Sequence, residues 1–420
     1  MEIFRIEGGY PLQGEIEVRG SKNAAAPIIA ASLLTTEPCV LHNVPRIEDI
    51  FRLLELIQTL GVQVEWLDEH SVRIEAKEID PTKIELDATR RMRLSVLLLG
   101  SLSGRCGKFS LGHPGGCAIG VRSIETHIDA LESLGVKVIQ HEKFYEIDTT
   151  KKHSGKIILK DFSVTATEIV LMMASVLPGK TVLKIAAAEP HVQDLGHFLQ
   201  AMGAKIEGLG THTITIEGVE ALRGAEYTII PDPIEAATFL ILGAATGSKI
   251  TVKNAHEEHL DLVLKKMREF GMDFEITPDA ITVIPAGHLV SPGRVKPEVY
   301  PGIPTDTLSL FGVLAALSDG ETLIHDHIFE SRFNYVPEIE KMGAKATVLN
   351  PHQAIIHGPV ELHGTQIKSF DLRAGAALII AALAAHGTTT IEDIYQVDRG
   401  YERIEERLQK LGAKIERVEL

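Results

Sequence analysis

A short pattern of apolar residues around one glycine recurs six times along the chain. An apolar residue precedes the glycine; a small or apolar residue, a polar residue and another apolar residue follow it, as in Leu60-Gly61-Val62-Gln63-Val64. The six glycines are Gly61, Gly135, Gly203, Gly271, Gly343 and Gly412, and successive ones lie 68 to 74 residues apart. Six copies at nearly constant spacing indicate an internal repeat of about 70 residues.

Each of these glycines is predicted to end one helix and to precede a strand. Before Gly61, the apolar positions 47, 50, 51, 53, 54, 56 and 57 form the stripe of an amphipathic helix over Ile47–Leu60. Glycine just after the last periodic residue is a helix-terminating signal. The repeat is therefore predicted to be helix, strand, helix, strand, with a further strand such as His212–Glu217 closing it.

The first helix of each repeat is predicted to be buried on all sides, which places sheets and amphipathic helices outside it. Five of these helices carry almost no charge after their opening residues: Ala24–Leu34, Leu94–Leu102, Ala236–Ala245, Leu308–Leu317 and Ala374–Ala385. Polar residues gather at the helix N-termini, which attract anions. They are Ser21–Asn23, Arg90–Arg93, Ser163–Thr167, Asp232, Thr305–Asp306 and Asp371–Arg373. We expect these helix starts to converge on one cleft between two domains.

Composition fits an ordinary globular protein of two or three domains. The 420 residues are 45% hydrophobic and 24% charged, and no basic-then-apolar signal opens the chain. Three cysteines, Cys39, Cys106 and Cys117, argue against a disulfide framework and for a reducing, cytosolic compartment. The net charge of −15 disfavours nucleic acid as a partner. An anionic ligand therefore needs a local basic cluster.

Residues 112–122 form a Gly- and Pro-rich segment that holds a single cysteine, Cys117, and ends on Arg122. Such a segment is neither helix nor strand interior, and a nearby guanidinium favours the thiolate. The alternative is a structural cysteine, since free cysteine is one of the most buried residue types. The loop context favours a reactive thiol.

The sequence predicts no metal site. His325 and His327 lie on one face of a predicted strand, but no third ligand is evident. His256 and His259 are separated by two residues, whereas a zinc protease helix has three between its histidines. The Gly-rich stretches also lack the Lys-Ser/Thr of a nucleotide-binding P-loop.

Six motifs together resemble the UDP-N-acetylglucosamine enolpyruvyl transferase family, over the whole chain and in family order. They are Gly20-Ser21-Lys22-Asn23, Pro114-Gly115-Gly116-Cys117 with Arg122, Pro304-Thr305-Asp306, Glu330-Ser331-Arg332-Phe333, Asp371-Leu372-Arg373-Ala374 and Asp398-Arg399-Gly400-Tyr401-Glu402-Arg403. The resemblance implies an α/β fold of two inside-out barrels, each of three repeats. It also implies a catalytic-loop domain at 22–231 and a second domain made of 1–21 plus 232–420.

The resemblance implies transfer of the enolpyruvyl group of phosphoenolpyruvate to the 3′-hydroxyl of UDP-N-acetylglucosamine, with release of phosphate. This is the first committed step of peptidoglycan synthesis. The implied partners are these two small molecules, with no cofactor, metal, nucleic acid or membrane. Addition followed by elimination needs an acid, a base and dense positive charge.

Roles for individual residues also follow from the resemblance. Cys117 is the general acid, forms a covalent adduct with phosphoenolpyruvate and is alkylated by the epoxide antibiotic fosfomycin. Asp306 is the base, with helix capping as the alternative, and Asp371 caps a helix or assists proton exchange. Lys22, Arg122 and Arg399 hold the phosphate and Arg332 and Arg373 the carboxylate, while Asn23 binds the sugar or the tetrahedral centre. The nucleotide sugar contacts Asn23, Arg93, Arg122, Ser123, Ile124, Glu125, Thr126, Asp161, Phe162, Ser163, Val164, Asp306 and Ile328.

The chain departs from the family pattern mainly on the nucleotide-sugar side. The departures are Ser123–Thr126 after Arg122, Pro233 for an arginine, Thr307–Leu310 after Asp306, and Ser331 for an asparagine. Three alternatives therefore stay open: another UDP-sugar as acceptor, shikimate 3-phosphate as acceptor, and a non-catalytic regulator that binds a sugar nucleotide. The shikimate-pathway family lacks the Pro-Gly-Gly-Cys loop, and a regulator has no need of an acid and a base.

Overall fold

The computed structural model describes residues 2–115, 120, 122–285 and 287–419. These residues form two compact units. The central unit holds residues 20–115 and 122–230, and the terminal unit holds residues 2–19, 120, 231–285 and 287–419. Within the described residues, no helix is both long enough and apolar enough to cross a membrane.

Apolar first helices and amphipathic second helices of the repeats both occur throughout the described chain. The α-helices are α1 (Lys22–Ala31), α2 (Glu48–Thr59), α3 (Leu86–Arg91), α4 (Leu98–Arg105), α5 (Glu125–Ser133), α6 (Val164–Ala174), α7 (Pro190–Ala201), α8 (Pro233–Ala245), α9 (Asp261–Glu269), α10 (Leu308–Ala316), α11 (Val336–Lys341), α12 (Leu372–Ala384), α13 (Tyr395–Asp398) and α14 (Ile404–Gln409). Short 3-10 helices cover Ser32–Leu34, Pro81–Lys83, Arg93–Leu97, Glu257–His259 and Thr305–Thr307.

The strands are β1 (Glu2–Gly8), β2 (Gly14–Glu17), β3 (Cys39–His42), β4 (Gln63–Trp66), β5 (Val72–Glu75), β6 (Lys108–Gly112), β7 (Lys137–Gln140), β8 (Phe144–Asp148), β9 (Lys156–Ile158), β10 (Gly179–Lys184), β11 (Lys205–Glu207), β12 (Thr213–Gly218), β13 (Glu226–Thr228), β14 (Ile250–Lys253), β15 (Asp273–Thr277), β16 (Ala280–Ile284), β17 (Arg294–Val295), β18 (Gly320–His325), β19 (Lys345–Asn350), β20 (Gln353–Gly358), β21 (Gln366–Lys368), β22 (Gly387–Glu392) and β23 (Lys414–Glu419).

Each unit contains three small sheets. In the central unit the strand orders are β13-β3-β5-β4, β6-β8-β7 and β11-β12-β10-β9; in the terminal unit they are β21-β22-β1-β23, β15-β16-β14-β2 and β17-β18-β20-β19. Every four-stranded sheet has one parallel pair, and its other pairs are antiparallel. The shared pattern supports the repeat predicted from the glycines.

The six repeat glycines all take left-handed backbone conformations. Their φ angles are 93° at Gly61, 78° at Gly135, 106° at Gly203, 91° at Gly271, 105° at Gly343 and 93° at Gly412. A residue with a Cβ is strained at such angles. Each glycine closely follows one of the amphipathic helices α2, α5, α7, α9, α11 and α14, so the predicted role in helix termination is confirmed.

The apolar first helices are buried, as predicted. Almost every residue of α1, α6, α8, α10 and α12 is buried. In the terminal unit α8, α10 and α12 pack against one another, and in the central unit α4 packs against α1 and α6. Strands such as β1 alternate buried and exposed residues, so one sheet face covers these helices. The predicted two-domain, inside-out α/β fold is confirmed.

One helix start differs from the prediction. Arg90 and Arg91 end α3 instead of opening the buried helix, because Met92 is extended and interrupts the helical backbone. The chain then makes the 3-10 turn Arg93–Leu97 before α4 begins. The Ser95 hydroxyl lies 2.7 Å from the carbonyl oxygen of Thr89 and 2.9 Å from that of Met92. These contacts satisfy carbonyl groups that the break leaves without helical partners.

A buried ion pair in the terminal unit anchors the segments around Glu17 and Glu235. Arg407 donates from Nη1 to Glu235 Oε1 at 2.5 Å and from Nη2 to the carbonyl of Glu17 at 2.6 Å. The other oxygen of Glu235 accepts the backbone N–H of Arg19 at 2.7 Å. Burial opposes the charge of Arg407, but Glu235 outweighs it, and the pKa of Arg407 is raised. Because both charges are buried, each depends on the other for stability.

Candidate active site

In the terminal unit, Asp306 meets two buried arginines. Its Oδ1 accepts from Arg332 Nη2 at 2.5 Å, and its Oδ2 accepts from Arg373 Nε at 3.3 Å. The two arginine side chains are almost fully buried, whereas 28% of the Asp306 side chain is exposed. The carboxylate thus lies at the surface with both guanidinium groups beneath it. Asp306, Arg332 and Arg373 are called the Asp306 cluster below.

Asp306 is not the capping residue of its helix. It lies inside the 3-10 turn Thr305–Thr307, whose N-cap position is Pro304. Because that turn leads directly into α10, the carboxylate sits at the start of a buried helix. Charge-assisted hydrogen bonds to two arginines orient it there.

Arg373 is held by several groups at the base of the cluster. Its Nη2 lies 3.8 Å from Asp232 Oδ2, and its guanidinium carbon lies 5.3 Å from the centre of the Tyr401 ring. Burial disfavours the charge, but Tyr401, Asp232 and Asp306 outweigh it, and the pKa of Arg373 is raised above its ordinary value. Arg373 therefore stays cationic.

Two N–H donors of the Asp306 cluster have no acceptor among the described residues. Arg373 Nη1 and Arg332 Nε are buried and have no hydrogen-bond partner among the residues that the structure describes. A buried donor without an acceptor costs free energy. The two guanidinium groups thus carry positive charge that is not fully compensated by hydrogen bonds, which suits an anionic substrate.

Asp371 caps the helix that carries Arg373. Its Oδ1 accepts from the backbone N–H groups of Arg373 and Ala374, each at 2.9 Å. Its Oδ2 accepts from Asn334 Nδ2 at 3.0 Å. Both oxygens therefore have donors, and the capping role that the sequence allowed for Asp371 is present. Asn334 was not found from the sequence, because nothing in its local pattern distinguishes it from a surface amide.

Arg399 is also nearly buried, with 9% of the residue exposed. It follows α13 directly, and its Nη1 donates to Gln396 Oε1 at 3.2 Å. At the next position, Gly400, an added Cβ would lie 2.6 Å from the Leu372 side chain. The lack of a Cβ at Gly400 helps Arg399-Gly400-Tyr401 to pack close to Asp371-Leu372-Arg373.

In the central unit, Lys22 is the first residue of α1 and is 8% exposed. Its Nζ lies 2.7 Å from Oδ2 of Asp49, a buried residue in the first turn of α2. Ser21 caps α1 through Ala24 N–H, and Asn23 is partly buried at the same helix start. The sequence prediction included Lys22 and Asn23 but missed Asp49, which looks like an ordinary first-turn acid.

Arg93 fixes the backbone at Arg122 and Ser123. Its Nη1 donates to the carbonyl of Arg122 at 2.7 Å and its Nη2 to that of Ser123 at 3.2 Å. Burial, and next the charge of Arg122, lowers the pKa of Arg93 to about 10. The structure thus brings together Arg93, Arg122 and Ser123 through main-chain contacts.

The stretches 122–126 and 161–164 are linked through the helices that follow them. His127 Nε2 in α5 lies 2.7 Å from Thr165 Oγ1 in α6. Burial, and next the charge of Arg93, lowers the pKa of His127 to about 3, so its ring is neutral near pH 7. Ser163 caps α6 through Ala166 N–H.

Two of the predicted nucleotide-sugar contacts are exposed apolar residues. Phe162 is 47% exposed and its ring packs against His212, and in the terminal unit Ile328 is 44% exposed. Asp161 is exposed beside Phe162, while Glu125 and Thr126 open α5. Large exposed apolar side chains suit contact with a ring or sugar face.

Several departures from the family pattern have local structural roles. Ser123 Oγ accepts the backbone N–H of Glu125 at 3.0 Å, which shapes the turn into α5. Pro233 is at the first turn of α8, where its missing N–H costs nothing. Ser309 Oγ donates to the carbonyl of Arg373 at 3.2 Å. Ser331 is exposed, and nothing in the structure explains it.

Cys117 lies outside the described residues, as do Gly116, Ala118, Ile119 and Val121. The segment leading to it is tightly packed: a Cβ on Gly115 would lie 1.7 Å from the Arg90 carbonyl oxygen. The other two cysteines are poor nucleophiles, because burial raises the pKa of both Cys39 and Cys106.

His325 and His327 do not complete a metal site. Their ring centres lie 6.0 Å apart, and Nδ1 of His325 lies 2.6 Å from Arg294 Nη2. Neither residue belongs to a group of three metal-ligating side chains within the described part of the chain. An arginine beside the imidazole repels a cation, so a binding role for this pair has no support.

The chain matches the family described as EPSP synthase (3-phosphoshikimate 1-carboxyvinyltransferase) over residues 6–408. Proteins named UDP-N-acetylglucosamine 1-carboxyvinyltransferase match it end to end. The one from Koribacter versatilis is 42% identical, covering 100% of this chain and 97% of its own; the one from Finegoldia magna is 41% identical, covering 100% of both.

Solved structures of enolpyruvyl transferases share the fold of this chain. The enolpyruvyl transferase NikO from Streptomyces tendae has a TM-score of 0.89 at 25% identity, with 99% of both chains covered. EPSP synthase from Acinetobacter baumannii has a TM-score of 0.76 at 18% identity over 100% of both chains, and shares the fold. The chain therefore belongs to the EPSP synthase family, and the relatives that it matches along its whole length are UDP-N-acetylglucosamine 1-carboxyvinyltransferases.

Proposed function

We propose that this protein transfers the enolpyruvyl group of phosphoenolpyruvate to the 3′-hydroxyl of UDP-N-acetylglucosamine and releases phosphate. The observation that carries the proposal is the Asp306 cluster, a surface carboxylate oriented by two buried arginines that keep unpaired N–H donors. The curated relatives carry the name of this reaction. The same reaction commits sugar nucleotide to peptidoglycan, and the few cysteines suit the cytoplasm as its location.

The chemistry needs one proton delivered and one removed in each half. In the addition, the methylene carbon of phosphoenolpyruvate takes a proton while the sugar oxygen bonds to the neighbouring carbon and gives its own proton to a base. In the elimination, a base takes a methyl proton from the tetrahedral ketal while the bond to the phosphate oxygen breaks, and the departing phosphate takes up a proton. The enolpyruvyl ether and inorganic phosphate remain.

Asp306 is the base for the sugar hydroxyl in this proposal. A base must reach the proton that it takes, and 28% of this side chain is exposed. Arg332 and Arg373 attract the substrate carboxylate by their charge. Their burial strengthens the attraction, because water screens it less.

Lys22, Arg122 and Arg399 bind the phosphate in this proposal, and Asn23 the tetrahedral centre. Asp49 holds Lys22 Nζ at 2.7 Å and so fixes the direction of the ammonium group. In this proposal the nucleotide sugar is recognised by Arg93, residues 123–126, residues 161–164 and Ile328. Developing negative charge on the departing phosphate is stabilised by such fixed cations.

Cys117 is the acid of the addition step and the site of a covalent adduct with phosphoenolpyruvate. We expect fosfomycin to label Cys117 and to stop turnover, while Cys39 and Cys106 stay unlabelled because burial raises the pKa of both thiols. Peptide mass spectrometry after treatment measures this. Cys117→Asp keeps an acid but removes the sulfur, so it should resist the drug. Label found only on Cys39 or Cys106 would overturn the assignment.

The acceptor is tested by phosphate release from phosphoenolpyruvate. We expect release with UDP-N-acetylglucosamine and none with shikimate 3-phosphate or without an acceptor. Release only with shikimate 3-phosphate, or only with another UDP-sugar, would replace the proposed acceptor. Binding of UDP-N-acetylglucosamine without any release would favour a regulator instead of an enzyme.

A further inference from the structure

A fully buried carboxylate lies next to the Asp306 cluster and has no part in the chemistry described so far. Asp326 follows strand β18 directly and is 0% exposed. Its Oδ1 accepts the backbone N–H groups of Ile328 at 2.9 Å and Phe329 at 3.1 Å. Its Oδ2 accepts the hydroxyl of Thr305 at 2.6 Å.

These partners belong to the two segments that carry the cluster. Thr305 precedes Asp306 in the same 3-10 turn. Phe329 lies three residues before Arg332, and the Arg332 guanidinium carbon lies 5.1 Å from the centre of its ring. The Asp326 carboxylate therefore links the turn that carries Asp306 to the loop that leads to Arg332.

Asp326 is itself fixed in place. Its backbone N–H donates to the carbonyl of His352 at 2.8 Å, and His352 Nδ1 lies 2.7 Å from the carbonyl oxygen of Asp326. Three donors to the side chain and two contacts to the main chain offset the cost of burying this carboxylate.

We propose that Asp326 is a positioning residue for enolpyruvyl transfer, which sets the distance between the Asp306 carboxylate and the Arg332 guanidinium. The inference rests on the proposed function of Asp306. A shift of the turn by about 1 Å misdirects the base, and misplacements of that size cost up to about 10²-fold in rate.

Thr305 offers the cleanest test, because valine has the same shape and lacks only the hydroxyl. We expect Thr305→Val to lower kcat by roughly 10- to 100-fold with a smaller change in KM for UDP-N-acetylglucosamine. Thr305→Ser keeps the hydroxyl and should retain kcat within a few fold. Asp326→Asn loses an acceptor for the same hydroxyl and should resemble Thr305→Val. The double variant should be no slower than the slower single variant, since both changes break one interaction.

Asp306→Asn, measured beside these variants, separates failure of the inference from failure of the base. Thr305→Val with normal kcat, while Asp306→Asn is slow, would reject the positioning role alone. Normal kcat in Asp306→Asn would reject the base and the inference with it. Circular dichroism and thermal melting identify misfolded variants. If Asp326→Asn fails to fold, the Thr305→Val and Thr305→Ser pair still decides, and a loss that serine does not rescue would contradict the proposal.

Discussion

Asp306→Asn is expected to lower kcat by roughly 10²- to 10⁴-fold, the usual range for loss of a general base. Asparagine keeps the size of the side chain and can still accept one arginine hydrogen bond. Substrate binding should therefore change far less than turnover. Steady-state kinetics of phosphate release with both substrates measures the effect.

Asp371→Asn is the matched control for that variant. Asparagine caps helices about as well as aspartate, and the cap formed by Asp371 Oδ1 needs only one acceptor oxygen. We expect stability to change by about 1 kcal/mol or less and turnover to fall less than in Asp306→Asn. Near-normal turnover in Asp306→Asn together with a large loss in Asp371→Asn would move the base to Asp371.

Arg373→Met is expected to produce the largest loss of stability among single changes at the site. It leaves Asp232 and Asp306 without the buried cation that lies 3.8 and 3.3 Å from them. Removing one partner of a buried ion pair costs about 3–5 kcal/mol. The free energy of unfolding measured in urea should therefore fall by that amount.

The Arg373 variant should also bind phosphoenolpyruvate weakly. Arg373→Lys is its control, because lysine keeps the charge but cannot hold two carboxylates in a fork. Lysine should recover most of the stability and little of the phosphoenolpyruvate affinity. An Arg373→Met protein with unchanged unfolding and unchanged KM for phosphoenolpyruvate would contradict the role assigned to this arginine.

Much of the fold could be predicted because its signals are local. A glycine after an amphipathic stripe ends a helix whatever surrounds it, and Gly61 and Gly412, at opposite ends of the chain, both have φ of 93°. The burial of α10, which has no charged residue, and of α12, which has one, is predicted by composition alone. The predicted start of α4 was wrong, because hydrogen bonds from Ser95 to two carbonyl groups stabilise a break in the helical backbone. Helix propensity alone does not reveal such a break.

The site was only partly predictable because its contacts are distant in sequence. Asp306 pairs with residues 26 and 67 positions later, the second of them in the next repeat, and no periodicity links such positions. The resemblance supplied Asp306, Arg332 and Arg373 as separate motifs, but their direct pairing required coordinates. Asn334 and Asp326 were missed, because a polar residue near a strand or helix end is usually solvated or capping.

Product analysis after turnover in D2O tests the proposed addition and elimination most directly. Deuteron addition gives the ketal a methyl group with one deuterium, and loss of a methyl proton leaves deuterium in the vinyl carbon. NMR of the product should show an enolpyruvyl ether at the 3′ oxygen of UDP-N-acetylglucosamine with deuterium at that carbon. Phosphate release without this ether, or an ether with no deuterium at the vinyl carbon, would contradict the proposed reaction.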